Sequence, residues 1–278
     1  MVKYKNMKIP RIFNKRNRVL LKELTKTDFK LRYQGSVLGY LWALLRPLMM
    51  FAILYFVFSV LLPIGRDDPH YPIYLLIGTT MWSFFTECTS QGIQAIVARG
   101  DLLRKISFPK YIVVVSTTLT AVINMLINLV VIIIFALING IMPNVSWLLA
   151  IPAIFELYCL SLGLSFLLGS INVKYRDITS IWDVLVQALF YATPIIYKLA
   201  LIPEALRPVA KGLLLSPIAQ CLQDIRYAFI SPIGNVDTAW NYINHSIISF
   251  VPVLIVIIVL IIGALVFRKK SKFFAEEV

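Results

Sequence analysis

The sequence predicts an all-α, polytopic membrane protein with six transmembrane helices, an N-terminal amphipathic helix in the interface and a re-entrant outer segment. Three observations carry that fold class. Of 278 residues, 59% are hydrophobic and 15% are charged. Apolar runs of span length recur along the chain, and about 20 apolar residues suffice to cross the hydrocarbon core of a bilayer. The 27 lysines and arginines gather at the ends of those runs, as they do in loops that flank spans. The net charge of +13 therefore reads as membrane topology, and there is no soluble domain to hold a nucleic acid. Cys88, Cys159 and Cys221 are odd in number and widely spaced, which gives neither a disulfide framework nor zinc spacing. The first 34 residues hold 11 Lys and Arg without a short apolar core and small-residue cleavage site, so no cleaved signal peptide is expected.

Residues 1–34 form the basic N-terminal segment. Between residues 17 and 33, Arg18, Lys22, Lys26 and Lys30 follow one another at i, i+4 spacing, and Leu20, Leu24 and Leu31 fall roughly opposite. This pattern fits a helix lying on an anionic membrane surface and touching a cytosolic partner. Phe29 falls on the basic side, and a solvated charge run is the plainer alternative.

The membrane-spanning body covers 35–270. Its first span, 36–62, is interrupted by Arg46 and Pro47. Residues 48–62 alone make roughly 22 Å of helix, too short for about 30 Å of hydrocarbon, so Arg46 sits near or inside the inner leaflet. Two partners fit. By depth, Arg46 pairs with Glu87 of the second span rather than with Glu156 of the fourth. Alternatively it snorkels to inner-leaflet phosphates.

A short loop with Asp67 and Asp68 leads into the second span, 71–98. The turn LLRKISFPK (102–110), within the inward segment 99–110, leads into the third span, 111–141. The fourth span covers 147–170, and NVKYRDIT (172–179) is the second inward turn. The fifth span, 181–202, contains Pro194, and the sixth covers 246–267. Residues 271–278 form the tail. The outer segment 204–245 carries two apolar stretches, 212–222 and 225–230, each too short to span. They read as short helices that dip into the outer leaflet and return, acting either as a gate or as a simple cap. Of the 27 Lys and Arg, 21 fall in segments assigned inward and five outward (Arg66, Lys198, Arg207, Lys211 and Arg226), which places both termini in the cytoplasm.

No GxxxxGK[ST], HExxH, GxSxG or Cys/His cluster occurs, so no catalytic or metal-ligating residues are assigned. His70 and His245 lie at outer boundaries, where an interfacial role suffices. A relay of intramembrane carboxylates and histidines is lacking, as is a pair of Gly/Pro-broken spans in matching halves. If the chain moves something uphill, the energy must come from another polypeptide. Its best contact is the 102–110 turn, the charged interruption between two rigid spans.

Aromatic residues form two stripes. Phe51, Tyr55 and Phe58 share one face of the first span; Phe190, Pro194 and Tyr197 share one on the fifth, with Tyr191 alongside. Rings stack on apolar sugar faces, which suits a path for a glycan; helix packing is the plainer reading.

Four segments carry a resemblance: LRYQGSVLGYLWALLRPL (31–48), LLRKISFPK (102–110), NVKYRDITSIWD (172–183), and ATPIIY (192–197) with Ile202 and Pro203. In this order they resemble the membrane permease subunits of ATP-binding-cassette exporters of lipid-linked polysaccharides, the O-antigen and teichoic-acid exporters. The chain departs from them at Leu215-Ser216-Pro217, where such permeases often carry Asn before the proline. The resemblance implies a homodimer of six-span subunits in the bacterial plasma membrane, bound to two copies of a cytosolic ATPase that carries ATP and Mg, with no cofactor in this chain. It implies that Leu102, Arg104, Lys105, Phe108, Pro109 and Lys110, with Arg176 and Asp177 of the second turn, couple to that ATPase. It also implies that the first and fifth spans line a channel for an undecaprenyl-linked glycan and that the outer segment supplies gate helices. A lipid or drug exporter permease of the same type is the alternative within transport. A membrane-bound transferase would need an acidic metal motif, and Asp177 and Asp183 are too few and too separated to make one.

Overall fold

The computed structural model describes residues 15–62, 68–230, 236–243 and 247–277. The loop residues Arg66 and Asp67 and the boundary residue His245 lie outside these. The described residues are helical, without a strand. In chain order the helices are α1 (Lys15–Tyr33), α2 (Trp42–Tyr55), α3 (Tyr71–Ala98), α4 (Gly100–Lys105), α5 (Tyr111–Ile138), α6 (Ala150–Asn172), α7 (Ile178–Ala192), α8 (Arg207–Leu214), α9 (Pro217–Ile230), α10 (Ala239–Tyr242), α11 (Val251–Lys270) and α12 (Phe274–Glu277).

Four of the helical stretches are long and apolar enough to cross a membrane: Gly39–Leu61, Tyr111–Ile138, Val145–Asn172 and Ile247–Lys270. The first includes α2 and ends in a wider turn, where the Leu62 amide donates five residues back to the Val57 carbonyl at 2.8 Å. The other two expected spans differ in kind. Helix α3 is as long as α5, 28 residues, but carries Thr79, Thr80, Thr86, Glu87, Thr89 and Gln91 along its length. It tolerates them because it is the central helix, buried over most of its length against α5, α6, α9, α2 and α7.

Helix α7 is only 15 residues and stops at Ala192. The fifth span, read in sequence as 181–202 with Pro194 inside it, leaves the helix there: Thr193 is extended (φ −90, ψ 139), because the residue before Pro194 is driven out of the helical region. The outer segment also divides differently. One helix, α8, ends at Leu214, and a single helix, α9, runs through the expected break near residue 224. The break falls instead just before Pro217, whose missing N–H and fixed φ suit the first turn of a helix.

Small residues set the packing. On α6, Ser161, Ser165 and Gly169 face α3, where the Ser165 hydroxyl donates to the Cys88 carbonyl at 3.2 Å and Asn172 Nδ2 donates to the Ile93 carbonyl at 3.2 Å. Helix α11 approaches α6 still more closely: a Cβ built on Gly263 would lie 2.2 Å from the Gly163 carbonyl oxygen. Such small-residue contacts let helices approach where lipid supplies no hydrophobic drive. The Gly263→Ala substitution is therefore expected to destabilise the chain by about 1–3 kcal/mol, because the clash is with backbone that cannot yield. Thermal unfolding of the detergent-purified protein checks this. Gly212→Ala, with open space around it, should leave the melting temperature unchanged or raise it.

Candidate functional site

At one end of the bundle the 99–110 segment makes α4 and then an extended link through Ile106 (φ −130, ψ 132) to α5. Leu103 is its buried anchor, packed with Ala95, Ile96, Val113 and Val114. Arg104 and Lys105 are exposed; Leu102, Phe108, Pro109 and Lys110 are half-buried. Arg104 bonds Asp101 at 2.8 Å, both well exposed, a pair that contributes little to stability. Arg176 and Asp177 are exposed on the turn between α6 and α7.

Helix α1 packs along α5 instead of lying alone. Its basic row, Arg18, Lys22, Lys26 and Lys30, is exposed, and so is Leu31. The inward face is Thr25, Asp28, Phe29, Arg32 and Tyr33, and two charges on it decide the docking. Asp28 pairs with Arg99 at the root of α4, and Arg32 pairs with Glu87 in the middle of α3. The Tyr33 hydroxyl donates to Asn124 Oδ1 at 3.0 Å, and Asn124 Nδ2 donates to Glu87 Oε1 at 2.7 Å. Burial pushes the Tyr33 phenol above its usual range, so it stays a donor. Phe29 stacks on Tyr40 at 5.3 Å with ring planes 10° apart, and Gly35, at φ 82, turns the chain from α1 toward α2.

The expected Arg46–Glu87 ion pair is thus corrected: Glu87 is held by Arg32 and Asn124. Matching depths along spans leaves out α1, which folds back against α3 and α5 and delivers a nearer guanidinium. Arg46 is exposed and lines the same cavity. That cavity, about 700 Å³, opens between α1, the start of α2, the middle of α3 and α5. Its walls carry Arg32, Arg46, Glu87, Gln91, Asn124 and Asn128 beside Trp42, Trp82 and Phe84. The Asn128 side chain is fixed by donating to the carbonyls of Ala43 (3.0 Å) and Asn124 (2.8 Å). Two guanidiniums facing one carboxylate leave the cavity with an excess positive charge.

The aromatic residues separate. Phe51, Tyr55, Phe58 and Phe190 are half-buried against the subunit's own core. Phe51 meets Phe135 edge-on at 5.7 Å, and Phe190 meets Trp82 at the same distance. Pro194 is buried, and the Tyr197 hydroxyl points back to the Tyr191 carbonyl at 3.4 Å. Tyr191 stands out from the subunit, 72% exposed. It continues a stripe that the aromatic pattern misses: Ser180, Asp183, Gln187 and Tyr191 are all exposed on α7. The spacing is i, i+3, i+7, i+11. On the opposite side Trp182 and Val186 are buried, and Trp182 Nε1 donates to Thr89 Oγ1 at 3.1 Å. A carboxylate and a carboxamide on an apolar helix belong against protein or a water-filled path. Scanning for polar residues at helical spacing, instead of rings, would have found this stripe.

Residues 19–229 match the family model described as ABC-2 type transporter. The chain is 28% identical, over 258 residues, to the O-antigen export system permease protein RfbA of Klebsiella pneumoniae, spanning 92% of this chain and 94% of the relative. It is 30% identical over 187 residues to the protein of the same name from Myxococcus xanthus, spanning 67% and 71%. It is 22% identical over 196 residues to the polysialic acid transport protein KpsM of Escherichia coli, spanning 67% and 73%.

Proposed function

This chain belongs to the ABC-2 type transporter family, and from that premise we propose that it is the permease subunit of an ATP-driven exporter that moves a lipid-linked polysaccharide of O-antigen type across the bacterial plasma membrane. Similarity over nearly the whole length of a permease named for O-antigen export supports this reading over a teichoic-acid cargo. The observation that carries it is the open polar cavity with two arginines, Arg32 and Arg46, in the wall of an otherwise apolar bundle. A phosphate on the lipid carrier suits such a site, because guanidinium binds phosphate through charge-assisted, paired hydrogen bonds.

In this reading α3 and α7 complete a six-span count, both termini are cytoplasmic, and two copies of the chain meet two copies of a cytosolic ATPase that carries ATP and Mg. The α7 stripe of Ser180, Asp183, Gln187 and Tyr191 faces the path between the copies, with α2 opposite. The re-entrant pair α8 and α9 covers its outer mouth. The ATPase pushes on α4 through Arg104, Lys105 and the half-buried Phe108. Helix α1 carries that push to the cavity, since Asp28 holds the root of α4 and Arg32, one turn later, holds Glu87. A rigid helix pinned at both points turns movement of the coupling turn into movement of the cavity wall.

Surface display of polysaccharide in a strain lacking the chain, complemented with variants, tests this. Arg46→Gln is expected to cut export roughly tenfold, the value of one charge-assisted phosphate contact, with membrane levels and ATPase association unchanged. A deletion strain that still displays its polymer overturns the reading.

A further inference from the structure

The last helix turns back onto the segment that the proposed function assigns to the ATPase. After α11, Ser271 stays helical and the chain folds over into α12, which contacts α4. Phe274 is fully buried, although it lies within five residues of the end of the chain. Its ring meets Phe267 at 5.3 Å, and Phe267 in turn meets Phe166 at 4.8 Å. The same cluster contains Leu103, the buried anchor of α4, and Phe108 is packed against it. Lys110 Nζ lies 5.9 Å from the centre of the Phe274 ring. Burial pulls the Lys110 ammonium below its usual range, and the charge of Glu276 works against that fall. The cluster around this one aromatic side chain of the tail thus takes in residues from both ends of the coupling segment, Leu103 and Lys110.

A six-residue helix followed by an extended link has little order of its own, since helices this short are marginal in water. What fixes α4 is therefore its underside, and Phe274 supplies part of it. We propose that the C-terminal segment is a built-in clip that sets the coupling turn in its docking geometry, with Phe274 as the positioning residue. The clip rests on the assignment of α4 to the ATPase, and it adds a part of the chain that neither the turn nor the spans contain.

The test uses the full chain in lipid nanodiscs and reads two quantities, amide hydrogen exchange across residues 101–106 and affinity for the ATPase subunit. Phe274→Ala is expected to speed exchange there about tenfold, as local opening becomes easier, while exchange in the interiors of α5 and α6 stays as it was. ATPase affinity is expected to fall about tenfold, close to the value of one large apolar contact, and Phe274→Leu should restore most of both. Unchanged exchange overturns the clip. So does a lowered melting temperature with undiminished affinity, which is the mark of a merely structural side chain. If the wild-type chain itself does not bind the ATPase, the functional reading fails on that control alone, and the clip falls with it.

Discussion

Replacing Arg226 with methionine is expected to remove most of the folded protein from the membrane. Arg226 lies on α9, is 0% exposed, and forms no ion pair among the described residues. Its guanidinium donates instead to neutral oxygens. Nε donates to the Tyr74 carbonyl at 3.1 Å, Nη1 to the Pro194 carbonyl at 2.6 Å and to Gln223 Oε1 at 3.0 Å, and Nη2 to the Ile195 carbonyl at 2.7 Å. The plane also stacks on Tyr74, 3.5 Å from the ring centre. The Pro194 and Ile195 carbonyls belong to the non-helical link just past the end of α7. Arg226 therefore ties the link after α7 to α9 and α3.

Methionine fills a comparable volume but donates nothing. Each orphaned carbonyl then costs about 1–3 kcal/mol, and more where no water reaches it. Two of them, with the lost stacking, approach the whole stability of an ordinary domain. Lysine should rescue only in part, because a point charge cannot reproduce the planar fork. Gly78→Ala should act in the same direction, since its Cβ would lie 2.3 Å from Arg226 Nη2. Membrane yield and thermal unfolding measure all three; an Arg226→Met chain that accumulates and melts like the wild type would show that the carbonyls find other donors.

Replacing Glu87 with glutamine is expected to abolish most export while leaving a folded chain. The substitution keeps the shape and an oxygen for Asn124 but leaves Arg32 without its counter-charge. The Arg32–Glu87 pair is partly buried, with the side chains 20% and 25% exposed. Its loss falls between the small cost of surface pairs and the roughly 3–5 kcal/mol of buried ones, at about 1–3 kcal/mol. Export should suffer more than stability, because α1 loses its hold on α3 while keeping Asp28 on Arg99. In a double-mutant cycle, Arg32→Gln with Glu87→Gln should cost clearly less than the two single effects added together. Arg46→Gln with Glu87→Gln should be nearer additive. Equal coupling to both arginines would instead mean that Glu87 is shared between them. Export assay and melting temperature of these chains decide it.

These charged residues differ in how legible they are. Glu87 and Arg46 stand out in sequence as ionisable residues inside apolar runs, and the need for partners follows from the cost of burying charge. Arg32 does not stand out, for it is one of 11 basic residues in a charged segment. Arg226 reads in sequence as one of a few outward cations, because an arginine satisfied by backbone carbonyls leaves no acidic partner to look for. The aromatic stripes are visible, but rings serve packing as readily as lining, and here all but Tyr191 are at least partly covered by the subunit itself.

Hydropathy and charge by themselves determined that the chain is helical, spans a membrane repeatedly, and turns between α3 and α5 through a short charged segment. The reason is that bilayer thickness and the obligation to satisfy backbone hydrogen bonds leave few alternatives to a long apolar helix. Only the tertiary structure decided which charges meet, where α7 breaks, and that Phe274 joins the cluster that anchors the 99–110 segment. Those contacts join residues far apart in the chain through side chains that reach several partners equally well, so packing, rather than any local pattern, selects among them.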